Sequence, residues 1–222
     1  MKKKTICVVM TARGNYAKLR SVIREIKKRE SLDLKIIVGG SLTLEKYGKI
    51  LEDEIVDDFN IDHTVHFLVE GENPYTMAKS AGLAVTDFAN AFQNFSPDIV
   101  VVLADRYESL AIAMAASYMN IGLAHIEGGE VSGSVDESIR HAITKLSHVH
   151  FPASADARDR IIRMGEKEEF VFNVGLTSFD IFGEIRLDDL SFFDNYQKTH
   201  YRLTPYPYVN IILHRNINYL LN

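Results

Sequence analysis

Apolar runs alternate with amphipathic stretches along most of the chain. Runs rich in β-branched residues occupy residues 5–10, 34–38, 65–69, 98–103, 122–126, 149–152 and 170–174. They are continuous rather than alternating, which is typical of strands buried on both faces of a parallel sheet. Because helical stretches separate these runs, the pattern predicts an α/β fold with a doubly wound, mainly parallel, Rossmann-like sheet.

The stretches between the runs have the periodicity of helices. In residues 16–29 the apolar positions follow i, i+3, i+4 and i+7 spacing, so they form one stripe. Asn73 followed by Pro74 is a cap and first-turn signal, which predicts a helix continuing to about residue 95. Residues 107–119 and 135–146 are predicted to form two further helices.

Composition and charge narrow the classes of partner. The net charge is −5, which argues against a nucleic-acid backbone as the main partner because phosphates require a basic face. The lone Cys7 rules out an internal disulfide and a cysteine zinc cluster, and it fits a reducing compartment. No run approaches the ~18 apolar residues of a membrane helix, and the first run is too short for a signal peptide. We therefore expect a cytoplasmic protein without a membrane partner.

Charged residues follow the ends of two predicted strands, where doubly wound sheets bind ligands. Arg13 comes just after the first strand, in a segment that has neither a GxGxxG nor a GxxxxGK motif, so a dinucleotide or P-loop site has no support. Arg13 by itself fits a solvated loop cation better than a ligand contact. Asp105, Arg106 and Glu108 follow the run at 98–103. Helix capping explains one of these carboxylates but explains the whole cluster less well.

The most informative stretch is residues 125–148, HIEGGEVSGSVDESIRHAITKLSH. Glu127 directly follows an apolar run, and the glycines after it, beginning with Gly128, allow a turn or a close approach to a ligand. Asp136 and Arg140 are spaced four apart on the following predicted helix. Glu127 and Asp136 flank the glycine-rich turn, which makes them candidates for a site.

A second ladder on the same predicted helix places Glu137, His141 and Lys145 four apart. Such ladders are often surface ion pairs worth about 0.2–0.5 kcal/mol each, and that interpretation stays open for Glu137 and Lys145. His148 and His150 share one face of a predicted strand without a converging carboxylate pattern. We therefore expect no metal site.

Taken together, these segments resemble the UDP-N-acetylglucosamine 2-epimerase family, in particular its hydrolysing branch from sialic-acid-type pathways. The matching segments are TARGNYAKL, ADRYESLA, HIEGGEVSGSVDESIRHAITKLSHVHF and NVGLTSFD, within roughly residues 4–180. The resemblance implies the N-terminal half of a B-type glycosyltransferase-like fold. It also implies loss of the C2 proton, elimination of UDP to give 2-acetamidoglucal, and hydration to N-acetylmannosamine, with no metal or redox cofactor.

The resemblance further implies roles for individual residues. Asp105, Glu127 and Asp136 would be the acid/base carboxylates, while Arg13 and His214 would assist the phosphates or the leaving group. Which carboxylate handles which proton stays open. The remaining candidates for contacts with the substrate are Glu108, Gly128, Arg140 and His141.

The pattern weakens after residue 186. Residues 1–186 are predicted to form the Rossmann-like catalytic domain, and residues 187–222 a linker and the first strand of a truncated C-terminal domain. The resemblance implies a UDP-sugar substrate, a homo-oligomer, and a separate C-terminal domain as a further partner. Two alternatives remain. One is a hydrolysing epimerase for a UDP-diacetamido-trideoxy sugar of the legionaminic acid pathway, and the other is a catalytically silent sugar-binding or assembly domain.

Overall fold

The computed structural model of the chain describes residues 3–44 and 59–183. In these ranges the strands are β1 (Lys4–Met10), β2 (Leu32–Gly39), β3 (His63–Val65), β4 (Ile99–Leu103), β5 (Gly122–Ile126) and β6 (Val149–Phe151). They form a parallel sheet in the order β3-β2-β1-β4-β5-β6. The winding direction reverses between β1 and β4, which is the switch point of a doubly wound sheet. The predicted sheet type is confirmed.

The helices of the described ranges are α1 (Arg13–Lys27), α2 (Pro74–Phe95), α3 (Tyr107–Tyr118), α4 (Val135–Leu146) and α5 (Ala155–Arg163). The predicted start of α2 is confirmed, because the Asn73 side chain accepts a hydrogen bond from the Thr76 amide at 3.0 Å and Pro74 is the first helical residue. Ser134 accepts from the amide of Asp136 and begins α4 in the same way.

Residues 170–174 differ from the prediction of a full strand. Within them only Val171 forms a ladder bridge, to His150 of β6, although the amide of Phe172 also donates to the His150 carbonyl. Phe172 and Val174 are about half exposed. An apolar run at the open edge of a sheet is not buried on both faces. Its apolar composition therefore predicted a longer strand than the single bridge that forms.

Helices cover both faces of the sheet with apolar side chains. On one face, helices α2, α3 and α4 bury Phe88, Ile112 and Ile143. On the other face, Leu19 and Ile23 of α1 pack against the strands. Each large side chain buried in this way contributes roughly 1.5–3 kcal/mol. Because helices cover both faces, the ends of the strands are the part of the sheet where a ligand can reach it.

The chain divides into two units after Asp180, and the first unit, Met1–Asp180, contains the sheet. The C-terminal domain predicted at residues 187–222, together with His214, lies outside the described residues, so the domain boundary stays a prediction. No helix in the described ranges is long and apolar enough to cross a membrane.

Candidate active site

Two neighbouring strands end in residues with left-handed backbone. Ala104 after β4 has φ of 57° and Glu127 after β5 has φ of 59°. A non-glycine residue in this region costs on the order of 1–3 kcal/mol and persists only where its surroundings fix it. The Ala104 amide donates to the Ile126 carbonyl at 2.9 Å, and the Glu127 amide donates to the Phe151 carbonyl at 3.0 Å. Each turn is therefore held by the next strand, and the two turns bring Asp105 and Glu127 to the same edge of the sheet.

His125 lies beneath these turns with no exposed surface. Its Nε2 is 2.8 Å from the Ala104 carbonyl oxygen, and its Nδ1 is 3.2 Å from the Thr144 hydroxyl of α4. Burial lowers the pKa of His125 to about 4. The neutral ring donates from Nε2, since a carbonyl oxygen only accepts, and Nδ1 is left as the acceptor for Thr144.

Asp105 is held by a cation from α4. Arg140 forms an ion pair with the Asp105 carboxylate, and its Nη1 donates to the Glu130 carbonyl at 2.8 Å. The Arg140 side chain is 11% exposed and that of Asp105 21%. The pair is therefore largely shielded from water. In such shielded surroundings charge-assisted hydrogen bonds are stronger than on an open surface. Arg140 thereby links α4 to the ends of β4 and β5, and its predicted contact with a substrate stays a prediction.

Glu127 is paired with Lys18, a residue that the sequence analysis missed. The Lys18 ammonium of α1 donates to Oε2 of Glu127 at 2.5 Å, and the carboxylate is almost fully buried. The other oxygen, Oε1, is also buried and has no hydrogen-bond partner in residues 3–44 and 59–183. An unpartnered buried carboxylate oxygen is costly, so its presence marks Glu127 as a candidate for taking up a proton or a ligand hydrogen bond.

Glu108 is fully buried and binds Arg106 with both oxygens. The Arg106 Nε donates at 3.1 Å and its Nη2 at 2.8 Å. Burial opposes the charge on Arg106, but the Glu108 carboxylate outweighs it, and with a small contribution from Asp136 the pKa of Arg106 is raised. The structure thus presents Glu108 as the residue that orients Arg106, which is partly exposed at the same edge as Asp105.

Asp136 and Arg13 are both exposed. Asp136 lies in the first turn of α4, accepts from the Ser134 hydroxyl at 3.3 Å, and is close enough to Arg106 to affect its pKa. Arg13 is the first residue of α1, directly beyond the end of β1. Both positions are open to a ligand lying across the strand ends, and their roles stay predictions.

The second ladder on α4 has a local explanation. Glu137 accepts from the amides of Gly133 at 2.8 Å and Ser132 at 3.0 Å, and these bonds lower its pKa. His141 is 4.0 Å from the same carboxylate. Glu137 therefore fixes the loop before α4, whereas a contact between His141 and a substrate stays a prediction.

The absence of a side chain at Gly128 allows α4 to pack closely against the end of β5. A Cβ there would lie 2.8 Å from the His125 Nδ1 and 3.0 Å from the Thr144 Oγ1. The missing side chain thus lets α4 approach β5 and keeps the His125 hydrogen bond to Thr144 intact. This packing accounts for the glycine without a ligand, and the predicted contact with a substrate remains untested.

The assembled edge can carry out acid–base chemistry next to an anion. Two shielded carboxylates, Asp105 and Glu127, lie at adjacent strand ends, each with its own cation, while Arg13 and Arg106 add positive charge. Such groups can move a proton and stabilise a departing anion. No cluster of three or more metal-binding side chains occurs in the part of the chain that the structure describes.

Comparison with known sequences links this arrangement to one family. The family model described as UDP-N-acetylglucosamine 2-epimerase matches residues 24–220. The chain is 41% identical over 175 residues to a UDP-N,N'-diacetylbacillosamine 2-epimerase (hydrolyzing) of Legionella pneumophila, covering 79% of this chain and 46% of that protein. It is 34% identical over 190 residues to a UDP-N-acetylglucosamine 2-epimerase of Neisseria meningitidis, covering 85% and 49%. The chain spans about half the length of the curated relatives it matches.

Comparison with solved structures gives the same fold. The UDP-GlcNAc 2-epimerase from Neisseria meningitidis, bound to UDP-GlcNAc, matches with a TM-score of 0.78 at 18% identity, covering 90% of this chain and 54% of that chain. Identity this low establishes the fold alone. The predicted fold class, the Rossmann-like half of a B-type glycosyltransferase-like fold, is confirmed.

A first prediction tests the packing role of Gly128. Gly128→Ala should lower the thermal unfolding midpoint, because the new Cβ has no room against His125 and Thr144. The control is Gly82→Ala in α2, where a Cβ meets nothing within 4 Å and helix propensity favours alanine by roughly 0.8–1 kcal/mol. The midpoints of both variants are measured by thermal unfolding followed by circular dichroism. Equal midpoints for the two variants would rule out the packing role.

A second prediction concerns stability below neutral pH. His125 has its pKa lowered from 6.5 to about 4 in the folded chain, so between these pH values the unfolded chain binds a proton that the native state does not. The free energy of unfolding should therefore fall as the pH drops from 6.5 towards 4, with His125 contributing up to about 1.4 kcal/mol per pH unit.

Urea titrations across this pH window measure that contribution. The slope of unfolding free energy against pH should be shallower in His125→Asn than in the unsubstituted chain. His66→Asn, which alters an exposed histidine, should leave the slope unchanged. A His125→Asn slope equal to that of the original chain would show that His125 is not the buried neutral base described.

Proposed function

The chain belongs to the UDP-N-acetylglucosamine 2-epimerase family, and we propose that it carries the acid–base residues of a hydrolysing 2-epimerase for a UDP-2-acetamido sugar. The products would be UDP and the C2-epimeric free sugar, N-acetylmannosamine when the substrate is UDP-N-acetylglucosamine. The observation that supports this most strongly is the pair of shielded carboxylates, Asp105 and Glu127, at adjacent strand ends.

The first proposed step removes the proton at C2. This proton is weakly acidic, so its removal requires a carboxylate that water does not solvate fully. Glu127 fits because Lys18 binds Oε2 while Oε1 stays buried and unpartnered among the described residues. The electrons of the C2–H bond form the C1–C2 double bond as the bond from C1 to the UDP oxygen breaks. The products of this step are 2-acetamidoglucal and UDP.

Departure of UDP places negative charge on the diphosphate, which nearby cations would stabilise. Arg13 and Arg106 are two exposed arginines at this edge, and Glu108 holds Arg106 in place. Helix α1 also begins at this edge, and the amides of a helix N-terminus favour an anion. The predicted assistance from His214 lies outside the described residues.

The second proposed step hydrates the double bond. Water adds its oxygen to C1 and a proton is delivered to C2 on the face opposite the one that lost it, which inverts C2. Asp105, oriented by Arg140, and Asp136, exposed at the start of α4, are the carboxylates available for these proton transfers. Substituting Asp105 and Asp136 separately would assign a proton transfer to each of them.

The comparisons favour two substrates within this class. UDP-N-acetylglucosamine appears in the name of the Neisseria relative, and a diacetamido sugar appears in that of the Legionella relative, to which the chain is more similar. Because both proteins are about twice as long as the match, we propose that full activity requires a C-terminal domain in addition to residues 1–186. Homo-oligomer formation and a cytoplasmic location remain predictions.

The carboxylates are tested by substitution and an assay of UDP release. Asp105→Asn and Glu127→Gln should each lower kcat/KM by about 10²–10⁴-fold, the usual contribution of a general acid or base. Glu169→Gln, which neutralises an exposed glutamate remote in sequence from the strand ends, is the matched control and should retain the rate. The assay is run on the full chain alone and with a C-terminal domain supplied from a relative.

Each of three outcomes has a distinct meaning. Loss of rate in both site variants with thermal unfolding unchanged supports the acid–base assignment. A rate that survives both substitutions would exclude these carboxylates. A folded chain that neither binds nor converts a UDP-sugar under both conditions would favour the silent assembly domain.

A further inference from the structure

The turn that follows β5 connects the two shielded carboxylates of the candidate site. Glu127 begins this turn, and the Glu130 carbonyl at its other end accepts the hydrogen bond from Arg140, the ion-pair partner of Asp105. Residues 128–129, between the two ends, are both glycine. Glycine has more backbone freedom than any other residue. A turn built in this way needs a restraint from outside if the two carboxylates are to keep their relative positions.

Packing requires glycine at both of these positions. Gly129 has φ of 81°, and a Cβ there would lie 2.9 Å from Ile161 Cγ1 and closer still to the Ala157 carbonyl, both in α5. Gly128 has the same restriction, because a Cβ there would lie 2.8 Å from the His125 ring. A larger residue at either position therefore cannot stiffen the turn.

Helix α5 supplies hydrogen bonds that restrain the turn. The guanidinium of Arg160 donates to the Gly129 carbonyl in a partly buried contact. Ser154, which begins α5, donates from its hydroxyl to the Glu130 carboxylate at 2.8 Å. Charge-assisted hydrogen bonds are roughly twice as strong as neutral ones, so the bond from Arg160 is the stronger restraint on the backbone.

The charge of Arg160 also acts on the loop before α4. Backbone hydrogen bonds from Gly133 and Ser132 are the main cause of the lowered pKa of Glu137, and the positive charge of Arg160 contributes to a smaller extent. Because Glu137 holds that loop in place through the same two amides, one guanidinium stabilises both the turn and the loop that continues from it.

We propose that Arg160 is a positioning residue for the acid–base chemistry and acts through the Gly129 carbonyl. The inference rests on the proposed function. Arg160 and Arg140 hold consecutive carbonyls of one turn from two different helices, and together they fix Glu127 relative to Asp105. Because a displacement of about 1 Å in a catalytic group can cost on the order of 10²-fold in rate, loss of this restraint should lower kcat rather than raise KM.

The test removes the hydrogen bond and keeps most of the side chain. Arg160→Met deletes the guanidinium and retains an apolar stem of similar path. Arg160→Lys keeps a cation that can donate to the same carbonyl. The control Arg163→Met makes the same change at an exposed arginine in the last turn of α5. Arg160→Gln, which is shorter and uncharged, is the second variant should Arg160→Met unfold.

The first readout is the kinetics of UDP release from UDP-N-acetylglucosamine and from UDP-N,N'-diacetylbacillosamine, with a C-terminal domain supplied from a relative. Arg160→Met should lower kcat by about tenfold or more and change KM by about twofold at most. Arg160→Lys should recover at least about threefold of the lost kcat, since it keeps a charged donor. Arg163→Met should match the unsubstituted chain.

The second readout is backbone amide relaxation NMR of the full chain, which needs no turnover. The order parameters of Gly128 and Gly129 should be about 0.85 in the unsubstituted chain and in Arg163→Met, as for rigid backbone. They should fall to about 0.6 or lower in Arg160→Met, as for a flexible loop.

The outcomes separate this inference from the proposed function. An unchanged kcat in Arg160→Met, unchanged order parameters, or an equal effect of Arg163→Met would overturn the inference and leave the epimerase intact. A lower thermal unfolding midpoint with kcat retained would show a purely structural role and would also overturn it. Absence of UDP release from both sugars in every variant, including the unsubstituted chain, would overturn the proposed function. The order parameters alone would then decide whether Arg160 restrains the turn.

Discussion

A chain of buried hydrogen bonds around His125 holds the strand ends together, and the geometry of the site depends on it. The ring donates to the Ala104 carbonyl and accepts at Nδ1 from the Thr144 hydroxyl, and Thr144 lies one turn after Arg140 on α4. Arg140 closes the circuit through its ion pair with Asp105, the residue next to Ala104. Breaking one link would leave a buried polar group unsatisfied at a cost of about 1–3 kcal/mol. The left-handed turn at Ala104 and the position of α4 are therefore fixed together.

The same arrangement gives Asp105 and Glu127 the surroundings on which the proposed proton transfers depend. Glu127 is removed from water by the turn after β5, yet Lys18 stabilises its charge through one oxygen only. Asp105 is also shielded from water, but its carboxylate forms a direct ion pair with Arg140. Two carboxylates in different surroundings at one edge are what a reaction with two distinct proton transfers requires. Neighbouring Arg106, kept in place by Glu108, adds positive charge without bringing a further free carboxylate to the site.

Local patterns in the sequence predicted the fold and the edge where the candidate residues meet, because parallel strands end on one side of a sheet. Asp105 and Glu127 could be placed at that edge from their positions after apolar runs. Lys18 could not be paired with Glu127, since 109 residues separate them and only tertiary packing joins α1 to β5. The signal in the sequence that could have indicated Lys18 was its position in the predicted helix directly after the first strand. The sequence shows only that space is needed at Gly128, and the structure adds that His125 and Thr144 lie where a side chain would be, while a ligand contact stays a prediction.

The central claim is that a carboxylate at the ends of β4 and β5 removes the proton from C2 of a UDP-2-acetamido sugar. Proton NMR of the reaction in D2O, with the chain and a C-terminal domain supplied from a relative, tests this directly. The account predicts release of UDP together with a free, C2-epimeric sugar that carries deuterium at C2. A released sugar that keeps its original proton and configuration at C2 would contradict it, because the linkage to UDP would then have been broken without any acid–base chemistry at that carbon.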